Sequence, residues 1–408
     1  MGDIMKEKKN IPEIRFKGFE GEWEEKRLGN LGSIAMNRRI YKYQTSEKGD
    51  IPFFKIGTFG SEPDAFISKS LFDDYKTRFP YPSIGDILIS ASGSIGRTIE
   101  YTGKDEYFQD SNIVWLQHNG NIENSFLKYF YSIVEWSGLE GSTIKRLYNK
   151  NILNTKISLP SKKEQSQIGT FFQNLDKQIT LEQQKHDKLV TLKKAMLEKM
   201  FPKEGASVPE IRFEGFEGVW PKVILDEIVD LFKGKTLGWK DISDNGIYEC
   251  ILYGNLYTEY GMVINKVYYK TNNYSNELVL SKSGDVLIPS SDTTPTGLAR
   301  ASSIEKDGVI LGGDINVLRP SKEINGSFIS YNINANRDKL IKYIKGSTVR
   351  HLDNSDLKNV ELYISKNPKE QSSIVNFFKK TDTLISLQQQ KIDKLKNIKK
   401  ACLDKMFV

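Results

Sequence analysis

The residue types that could bind a phosphate occur in one short motif. Gly234-Lys235-Thr236 has the ending of a P-loop, in which backbone amides and a lysine hold the phosphates of a nucleotide. That motif also requires a glycine five residues before Gly234, and Val229 stands there. Gly96-Arg97-Thr98 fails in the same way, because the required position is Ala91. The sequence therefore does not predict a nucleoside triphosphatase.

A second set of residues could bind a metal ion. Pro63-Asp64, followed by Asp74-Tyr75-Lys76, formally fits the carboxylate, carboxylate and lysine arrangement by which many nucleases hold Mg²⁺ against a phosphate. A pattern this short arises often by chance, so a polar surface loop is the simpler interpretation. A metal-dependent nuclease stays open as the less favoured alternative.

Other catalytic patterns are missing from the sequence. No Pro-Pro pair occurs, whereas an amino-methyltransferase needs a Pro-Pro-aromatic loop after Asp or Asn to hold the target amine. The three histidines have no partner at ligand spacing, which argues against a zinc site or a histidine-based triad: they are His118, His186 and His351. We therefore predict no catalytic residue, no bound metal and no cofactor.

Composition places the chain among multidomain proteins without a membrane segment. Its 408 residues exceed one ordinary domain and indicate two to three. No apolar run approaches the roughly 18 residues of a membrane span. Cys250 and Cys402 are too few for a disulfide scaffold and suit a reducing compartment, so we expect a soluble, cytoplasmic protein. The formal charge of +7 favours polyanionic partners only weakly.

An internal repeat organises the chain. Residues 11–23 return as residues 208–220 with ten of thirteen positions identical. Residues 164–201 align without gaps to residues 370–407 with 22 of 38 identical. Between these anchors the two halves diverge, so each half is a variable block followed by a constant block.

The constant blocks have the pattern of long helices. Apolar residues recur at three- and four-residue steps through both copies, and capping-box spacings mark both starts, Ser161 with Glu164 and Asn367 with Glu370. A helix of 38 residues spans about 57 Å, which exceeds a small domain, so we predict that the two copies pack on each other as an antiparallel coiled coil. Polar residues on its seam are Glu182, His186 and Gln388.

The variable blocks, 24–160 and 221–365, have the pattern of strands joined by turns, since runs rich in Ile, Val, Tyr and Phe are broken by Gly, Pro, Asn and Asp. The expected strands include 87–90, 113–116, 263–270 and 309–318, and the expected short helices are 126–136 and 328–344. We predict an α+β fold in which two mainly β domains, 1–160 and 204–365, are separated by two long antiparallel helices, 161–203 and 366–408, with internal pseudo-twofold symmetry.

The order of these motifs resembles the specificity subunit of type I restriction-modification enzymes over nearly the whole chain. The matching elements are Pro-Glu-Ile-Arg-Phe-x-Gly-Phe-x-Gly-x-Trp at Pro12 and Pro209, Gly-Asp with a hydrophobic strand at Gly85 and Gly284, Gly-Ser-Thr at Gly141 and Gly346, and Glu-Gln-x-x-Ile at Glu164 and Glu370. The last element, which opens a long helix twice, is the specific one.

The resemblance implies a division of labour. Two target-recognition domains each read one half of a split, asymmetric site in double-stranded DNA. Two methyltransferase (M) subunits bind the helices, and two restriction/translocase (R) subunits complete the complex. Cutting and methyl transfer belong to those partners, so the chain itself is expected to be no enzyme. A coiled-coil scaffold carrying two protein-binding domains would show the same pattern of variable and constant blocks, and it stays open as an alternative.

The loops expected to face DNA combine hydrogen-bonding side chains with cations, because bases are read at groove edges and phosphates attract Lys and Arg. The candidates in the first block are Asn37, Arg38, Arg39, Tyr41, Lys42, Ser92, Ser94 and Arg97, and those in the second are Lys233, Lys235, Thr236, Lys240, Ser291, Thr293 and Thr294. Weaker candidates for phosphate contacts are Lys145, Arg146, Arg350 and His351. For any single residue, a solvated basic loop is the alternative.

Overall fold

The computed structural model describes residues 10–138, 145–275 and 277–408, so the Gly-Ser-Thr element at Gly141 lies outside the described residues. The chain divides into two compact units. The first unit is Met1–Gln183 with Gln390–Val408, and the second unit is Gln184–Gln389. Each unit therefore contains one variable block, the start of the long helix that follows it, and the end of the other long helix.

Within the described residues, the strands of the first unit are β1 (Glu24–Arg27), β2 (Ser33–Ala35), β3 (Ile51–Phe54), β4 (Phe66–Ile67), β5 (Ile87–Ser90), β6 (Thr98–Glu100), β7 (Tyr107–Phe108), β8 (Ile113–Gln117) and β9 (Lys156–Leu159). The helices that begin in this unit are α1 (Lys69–Arg78), α2 (Asn124–Ile133), α3 (Asn149–Asn154) and α4 (Lys162–Lys199). The strands form an antiparallel sheet of order β2-β8-β5-β6, a mixed sheet of order β4-β3-β7, and the pair β1-β9.

The second unit has the strands β10 (Lys222–Ile224), β11 (Val229–Lys233), β12 (Tyr248–Ile251), β13 (Val263–Ile264), β14 (Tyr269–Thr271), β15 (Val279–Leu280), β16 (Val286–Pro289), β17 (Ser291–Asp292), β18 (Ser302–Ile304), β19 (Ile310–Leu311), β20 (Ile315–Pro320), β21 (Arg350–His351) and β22 (Glu361–Tyr363). Its helices are α5 (Asn255–Thr258), α6 (Pro295–Leu298), α7 (Gly326–Ala335), α8 (Asp338–Ile341), α9 (Asn354–Leu357) and α10 (Pro368–Met406). The larger sheets have the orders β11-β20-β16-β18-β13 and β14-β12-β19-β15.

The central strand of each unit is apolar on both faces because each face covers a different core. In β5, Ile87 and Ile89 pack in one cluster with residues of α2, while Leu88 packs in another with Trp115. In β16, Val286 and Ile288 alternate with Leu287 in the same way. Successive side chains of a strand point to opposite faces, so a continuous apolar run is what a two-sided central strand requires.

Two predicted strands are interrupted in the structure. The strand expected over 263–270 is the two strands β13 and β14, which belong to different sheets. The strand expected over 309–318 is likewise split into β19 and β20 at Gly312 and Gly313. Backbones pass closely at this break, since a Cβ atom on Gly234 would lie 1.9 Å from the Gly312 oxygen. The helix expected over 328–344 also divides, into α7 and α8.

The two long helices predicted from the repeat are present as α4 and α10, and within each unit their segments run antiparallel. In the first unit, Asp176 pairs with Lys399 at 2.6 Å, and Glu182 pairs with Lys391 at 2.9 Å. In the second unit, Lys193 pairs with Asp382. In the first unit the residue number rises along one helix as it falls along the other. None of the described helices has an apolar stretch long enough to cross a lipid bilayer.

A buried arginine-glutamate pair joins the opening motif of each half to its long helix. Arg15 Nε and Nη2 donate to the two carboxylate oxygens of Glu164 at 2.7 and 2.8 Å, and this hydrogen bonding raises the pKa of Arg15. Arg212 grips Glu370 with the same two atoms at 2.5 and 2.9 Å. A planar guanidinium fits a carboxylate through two parallel bonds, which explains why the repeat keeps Arg and Glu in both copies.

The glutamine that follows each of these glutamates serves the short helix of the variable block. Gln165 Oε1 accepts a hydrogen bond from the Glu123 amide at 3.0 Å, just before α2. Gln371 Oε1 accepts from the Asn325 amide at 2.8 Å, just before α7. Free amides at a helix start need such acceptors. The Glu-Gln pair of the repeat is therefore structural, because it fixes two segments of the variable block to the helix.

A phenylalanine at the end of each long helix packs in the core of the unit in which the other long helix starts. Phe407 lies in the core of the first unit, with its ring centroid 5.0 Å from Phe126 and 6.1 Å from Phe172. Phe201 lies in the core of the second unit, 5.4 Å from Phe328 and 6.2 Å from Phe378. Neither core is complete without the constant block that follows the other variable block.

Candidate nucleic-acid interface

The polar loop that follows β5 is anchored to a distant arginine. Ser92 forms an isolated β-bridge with Arg146, and Ser92 Oγ donates to Asn112 Oδ1 at 2.8 Å. Arg146 Nη2 donates to the same oxygen at 3.0 Å. The side-chain oxygen of Asn112 therefore joins three separate segments of the chain. It brings Ser92, a main candidate from the sequence, together with Arg146, a weaker one.

The second unit builds a comparable cluster after β16. Strand β17 places Ser291 opposite His351 and Asp292 opposite Arg350 on β21. Ser291 Oγ and His351 Nδ1 lie 3.1 Å apart. The cluster again joins the loop after the central strand to the segment that precedes the constant block.

The same backbone hydrogen bond fixes both clusters. The Leu147 amide donates to the Ala91 oxygen at 2.8 Å, and the Leu352 amide donates to the Ser290 oxygen at 3.1 Å. Both leucines are buried and so hold the preceding basic residues at the surface end of the central strand. The two clusters thus occupy equivalent positions in their units, whereas the side chains that they present differ.

Asn37 lies inside the first unit. Its side chain is 2% exposed and donates to the Pro80 oxygen at 3.4 Å. The residue that follows the equivalent strand β11 is Gly234, which is also buried. A side chain this buried cannot contact a base in this conformation, so we assign Asn37 a supporting role beneath the loop.

The remaining candidates of the first basic loop lie at the surface. Their contacts are Arg38 over the Phe79 ring at 5.2 Å, Arg39 with Asp110 at 3.2 Å, and Tyr41 stacked on Tyr43 at 5.7 Å. Lys42 is exposed as well. Because Asp110 is two residues from Asn112, the loop lies beside the Ser92 cluster.

The second basic loop contains one lysine that is held in an ion pair and two that are in none within the described residues. Lys233 Nζ donates to Asp353 Oδ1 at 3.0 Å, which ties the end of β11 to the residues after β21. Lys235 and Lys240 are exposed and form no ion pair within the described part of the chain. Thr236 between them has a left-handed backbone, with φ of 40°.

The loops after the central strands differ in charge. Ser94 and Arg97 are exposed in the first unit, and Arg97 Nη1 donates to the Phe59 oxygen at 2.6 Å. In the second unit, Thr293 and Thr294 both contact the Asp292 carboxylate. Asp and Glu accept from cytosine, whereas Arg and Asn make bidentate contacts with guanine and adenine. The two loops therefore present different hydrogen-bonding groups.

Several supporting residues were not predicted. Asn112, Asp110 and Tyr257 hold candidate loops in place, the last by donating to the Ser291 oxygen at 2.6 Å. Burial raises the pKa of Tyr257 well above its ordinary value, so it stays a donor. The polar residue just before a buried strand was the available signal for Asn112. Tyr257 carried no comparable signal.

The nuclease pattern is divided among separate ion pairs. Asp64 pairs with Lys55 at 2.9 Å, Asp74 with Arg78 at 3.1 Å, and Lys76 with Asp105 at 3.2 Å. Among the described residues, no group of three or more His, Cys, Asp or Glu side chains could hold a metal ion. The geometry thus gives the metal-dependent nuclease no support.

Comparison with protein families places the chain in a class of DNA-specificity proteins. The model of the type I restriction modification DNA specificity domain matches twice, over residues 20–191 and 218–397. The chain belongs to this family, the specificity subunits of type I restriction-modification systems, which recognise DNA and have no catalytic centre of their own. The protein-scaffold and nuclease alternatives are thereby set aside.

Named relatives agree with this assignment. A Haemophilus influenzae protein named as a type I restriction enzyme specificity subunit is 52% identical over 157 residues, a match that spans 38% of this chain and 41% of that relative. The MjaVIII specificity subunit of Methanocaldococcus jannaschii is 23% identical over 78% of this chain and 75% of its own length.

Solved structures share the fold. The specificity subunit from M. genitalium superposes with a TM-score of 0.62 at 14% identity, covering 98% of this chain and 99% of that chain. A chain from a structure on complex assembly of a type I system gives a TM-score of 0.54 at 16% identity, covering 95% and 98%. At these identities the similarity concerns the fold alone.

Proposed function

We propose that the chain selects a split, asymmetric DNA site, and that each unit reads one half of it. The observation that carries this proposal is the pair of equivalent clusters, Ser92 with Arg146 and Ser291 with His351. They occupy the same place after the central strand but present different side chains. A protein that reads two unlike half-sites with one architecture needs this combination.

The bases and the backbone are contacted by different residues. The residues that read or flank the first half-site are Ser94, Arg97, Arg146 and Tyr41. Those that read or flank the second half-site are Ser291, Thr293, Thr294 and His351. The phosphates are contacted by the cations of these loops, because the negative charge of the DNA backbone attracts them. These cations are Arg38, Arg39, Lys42, Lys233, Lys235, Lys240, Lys145 and Arg350. Asn37, Ser92 and Thr236 hold the loops in shape.

The constant blocks dock the catalytic partners. Two methyltransferase subunits bind the helical spacers, and two restriction/translocase subunits complete the assembly. In support, α4 and α10 use identical residues for internal docking and still leave much of their surface exposed. The variable blocks, 1–160 and 204–365, are then the exchangeable part.

The test is a map of methylated adenines in a genome that carries this chain with its partner subunits. We expect one split motif with two unlike halves. Exchange of residues 24–160 for those of another family member should change one half and preserve the other. A continuous motif, or a change in both halves, would contradict the proposal.

A further inference from the structure

A cavity lined by three lysines lies in the second unit. Its volume is about 250 Å³. The lysines are Lys222 on β10, Lys339 in α8 and Lys342 just after α8, and the side chains of Tyr343 and Tyr363 line the cavity with them. None of the residues that line it is among those proposed to contact DNA. The cavity is therefore a feature that the proposed function does not explain.

Two of the three lysines have a carboxylate partner at the surface. Lys222 pairs with Glu361, and Lys342 pairs with Glu204 at 2.8 Å. The four side chains are between 48% and 72% exposed. Ion pairs with this exposure contribute little to stability, because water screens them and long side chains lose entropy when they pair. Either lysine can therefore turn towards an entering anion at small cost.

The third lysine, Lys339, has no counterion of its own. Its Nζ lies 4.9 Å from the centroid of the Tyr363 ring, and none of the described residues forms an ion pair with it or accepts a hydrogen bond from it. Burial is the main cause that lowers the pKa of Lys339, and the charges of the two ion pairs act on it in opposite directions. The aromatic face attracts the ammonium but supplies no lone pair for its three donors. An anion in the cavity would supply the acceptors and offset the cost of burial.

The charge and the size of the cavity define the occupant. Three lysines and two glutamates leave one net positive charge on its walls. Lysine binds phosphate as a compact point charge with three donors. The volume is slightly below the range of about 300–1,000 Å³ that is typical of small-molecule sites, so the occupant is small. A phosphodiester of duplex DNA carries a sugar on both sides, whereas a phosphomonoester has a free end that can enter.

The equivalent place in the first unit has its charges exchanged. Two residues after the tryptophan of each opening motif, the first half has Glu25 and the second half has Lys222. Glu25 pairs with Lys156 of β9 at 2.8 Å, whereas Lys222 pairs with Glu361 of β22. The ion pair between the two strands is thus kept, but the residue that is a cation in the second unit is a carboxylate in the first. The cavity is therefore specific to the second unit.

We propose that this cavity binds the phosphate group of a small phosphomonoester, or inorganic phosphate, with Lys339 as the central contact and with Lys222 and Lys342 turning from their carboxylates to share the charge. Lys222 belongs to the strand that opens the second variable block, and α8 lies near the end of that block. The ligand joins these two segments and so slows the local opening of both. This site goes beyond the proposed function and does not depend on it.

The experiment titrates inorganic phosphate into the full chain at constant ionic strength, with calorimetry for affinity and hydrogen exchange for location. We expect saturable binding and slower amide exchange in residues 338–343. Lys339→Gln should weaken binding at least about tenfold, because a charged hydrogen-bond donor is lost. Lys339→Arg keeps the charge and should retain saturable binding. Lys358→Gln is the matched control, since Lys358 is exposed, does not line the cavity and has no ion pair with any described residue.

Three results would overturn the proposal. The first is the absence of saturable phosphate binding to the unaltered chain in the millimolar range, and the second is equal weakening by Lys358→Gln. The third is loss of phosphate binding in Lys339→Arg together with a lower unfolding temperature of Lys339→Gln without phosphate, which would make Lys339 part of the fold. Displacement of phosphate by duplex DNA would show that DNA, and no small ligand, is the occupant. The methylation map tests the proposed function separately.

Discussion

The two buried glutamates that join variable and constant blocks, Glu164 and Glu370, hold equivalent positions in the repeat but accept hydrogen bonds from different sets of donors. Glu370 in the second unit accepts from Arg212, from Trp220 Nε1 at 3.2 Å and from Ser365 Oγ at 2.5 Å. Glu164 in the first unit also holds its arginine, but none of the residues that the structure describes accepts a hydrogen bond from the buried Trp23 Nε1. The repeated motif places an arginine against a glutamate in both units. The neighbouring residues of each half determine how many further hydrogen bonds that glutamate accepts.

Removing the two carboxylates should produce the largest difference in stability between the two units. Glu370→Leu should destabilise the second unit by about 5 kcal/mol, because a partly buried arginine, an indole and a hydroxyl all lose their acceptor. Glu164→Leu should cost the first unit about 3 kcal/mol. Hydrogen exchange resolved to each unit measures both, with Glu214→Leu at an exposed position as the control. Equal costs would show that the extra donors contribute nothing.

Removing the two exchanged phenylalanines should have the next largest effect. Phe407→Ala should destabilise the first unit and Phe201→Ala the second, each by about 4 kcal/mol, since both rings are almost fully buried. The readout is again the exchange of amides in each unit. If Phe201→Ala loosened the first unit instead, the assignment of helix ends to cores would be wrong.

A smaller difference should separate the two tryptophans. Trp220→Phe and Trp23→Phe lose similar apolar area, but only the first loses a hydrogen bond to a charged group, worth about 2 kcal/mol. Urea titration with unit-resolved exchange should therefore show the larger loss for Trp220→Phe by about that amount. A matching loss for Trp23→Phe would indicate that its indole is satisfied in solution.

The smallest effect should come from the loop cations, measured in the complex with methyltransferase. Lys235→Ala should weaken DNA binding several-fold and reduce the salt slope by about one, because Lys235 is exposed and has no ion pair with any described residue. Arg39→Ala should do less, since Asp110 already offsets its charge. Assembly should stay intact in both. Lys203→Ala, away from these loops and paired with Glu210, is the control.

Local patterns predicted the elements that obey them. Helices α4 and α10 and strands β5 and β16 follow from periodicity and continuous apolar runs. The breaks at Gly312 and the burial of Asn37 depend on close approach of segments far apart in the chain, which no local window contains. Likewise, the bond from Trp220 to Glu370 spans 150 positions. The site was predictable as two loops, and its internal partners were not.

The position of Phe407 has a consequence for the order of folding during synthesis. The first unit is discontinuous, and the whole of Gln184–Gln389 is translated before the residues that close its core. At about 5–20 residues per second, the slot between Trp23, Phe126 and Phe172 stays open for about 10–40 s. During that interval the nascent chain exposes an aromatic surface that binds Met-Phe, and residues 200–201 carry the same pair as residues 406–407. We therefore expect this protein to depend most on chaperones while the second variable block is being translated.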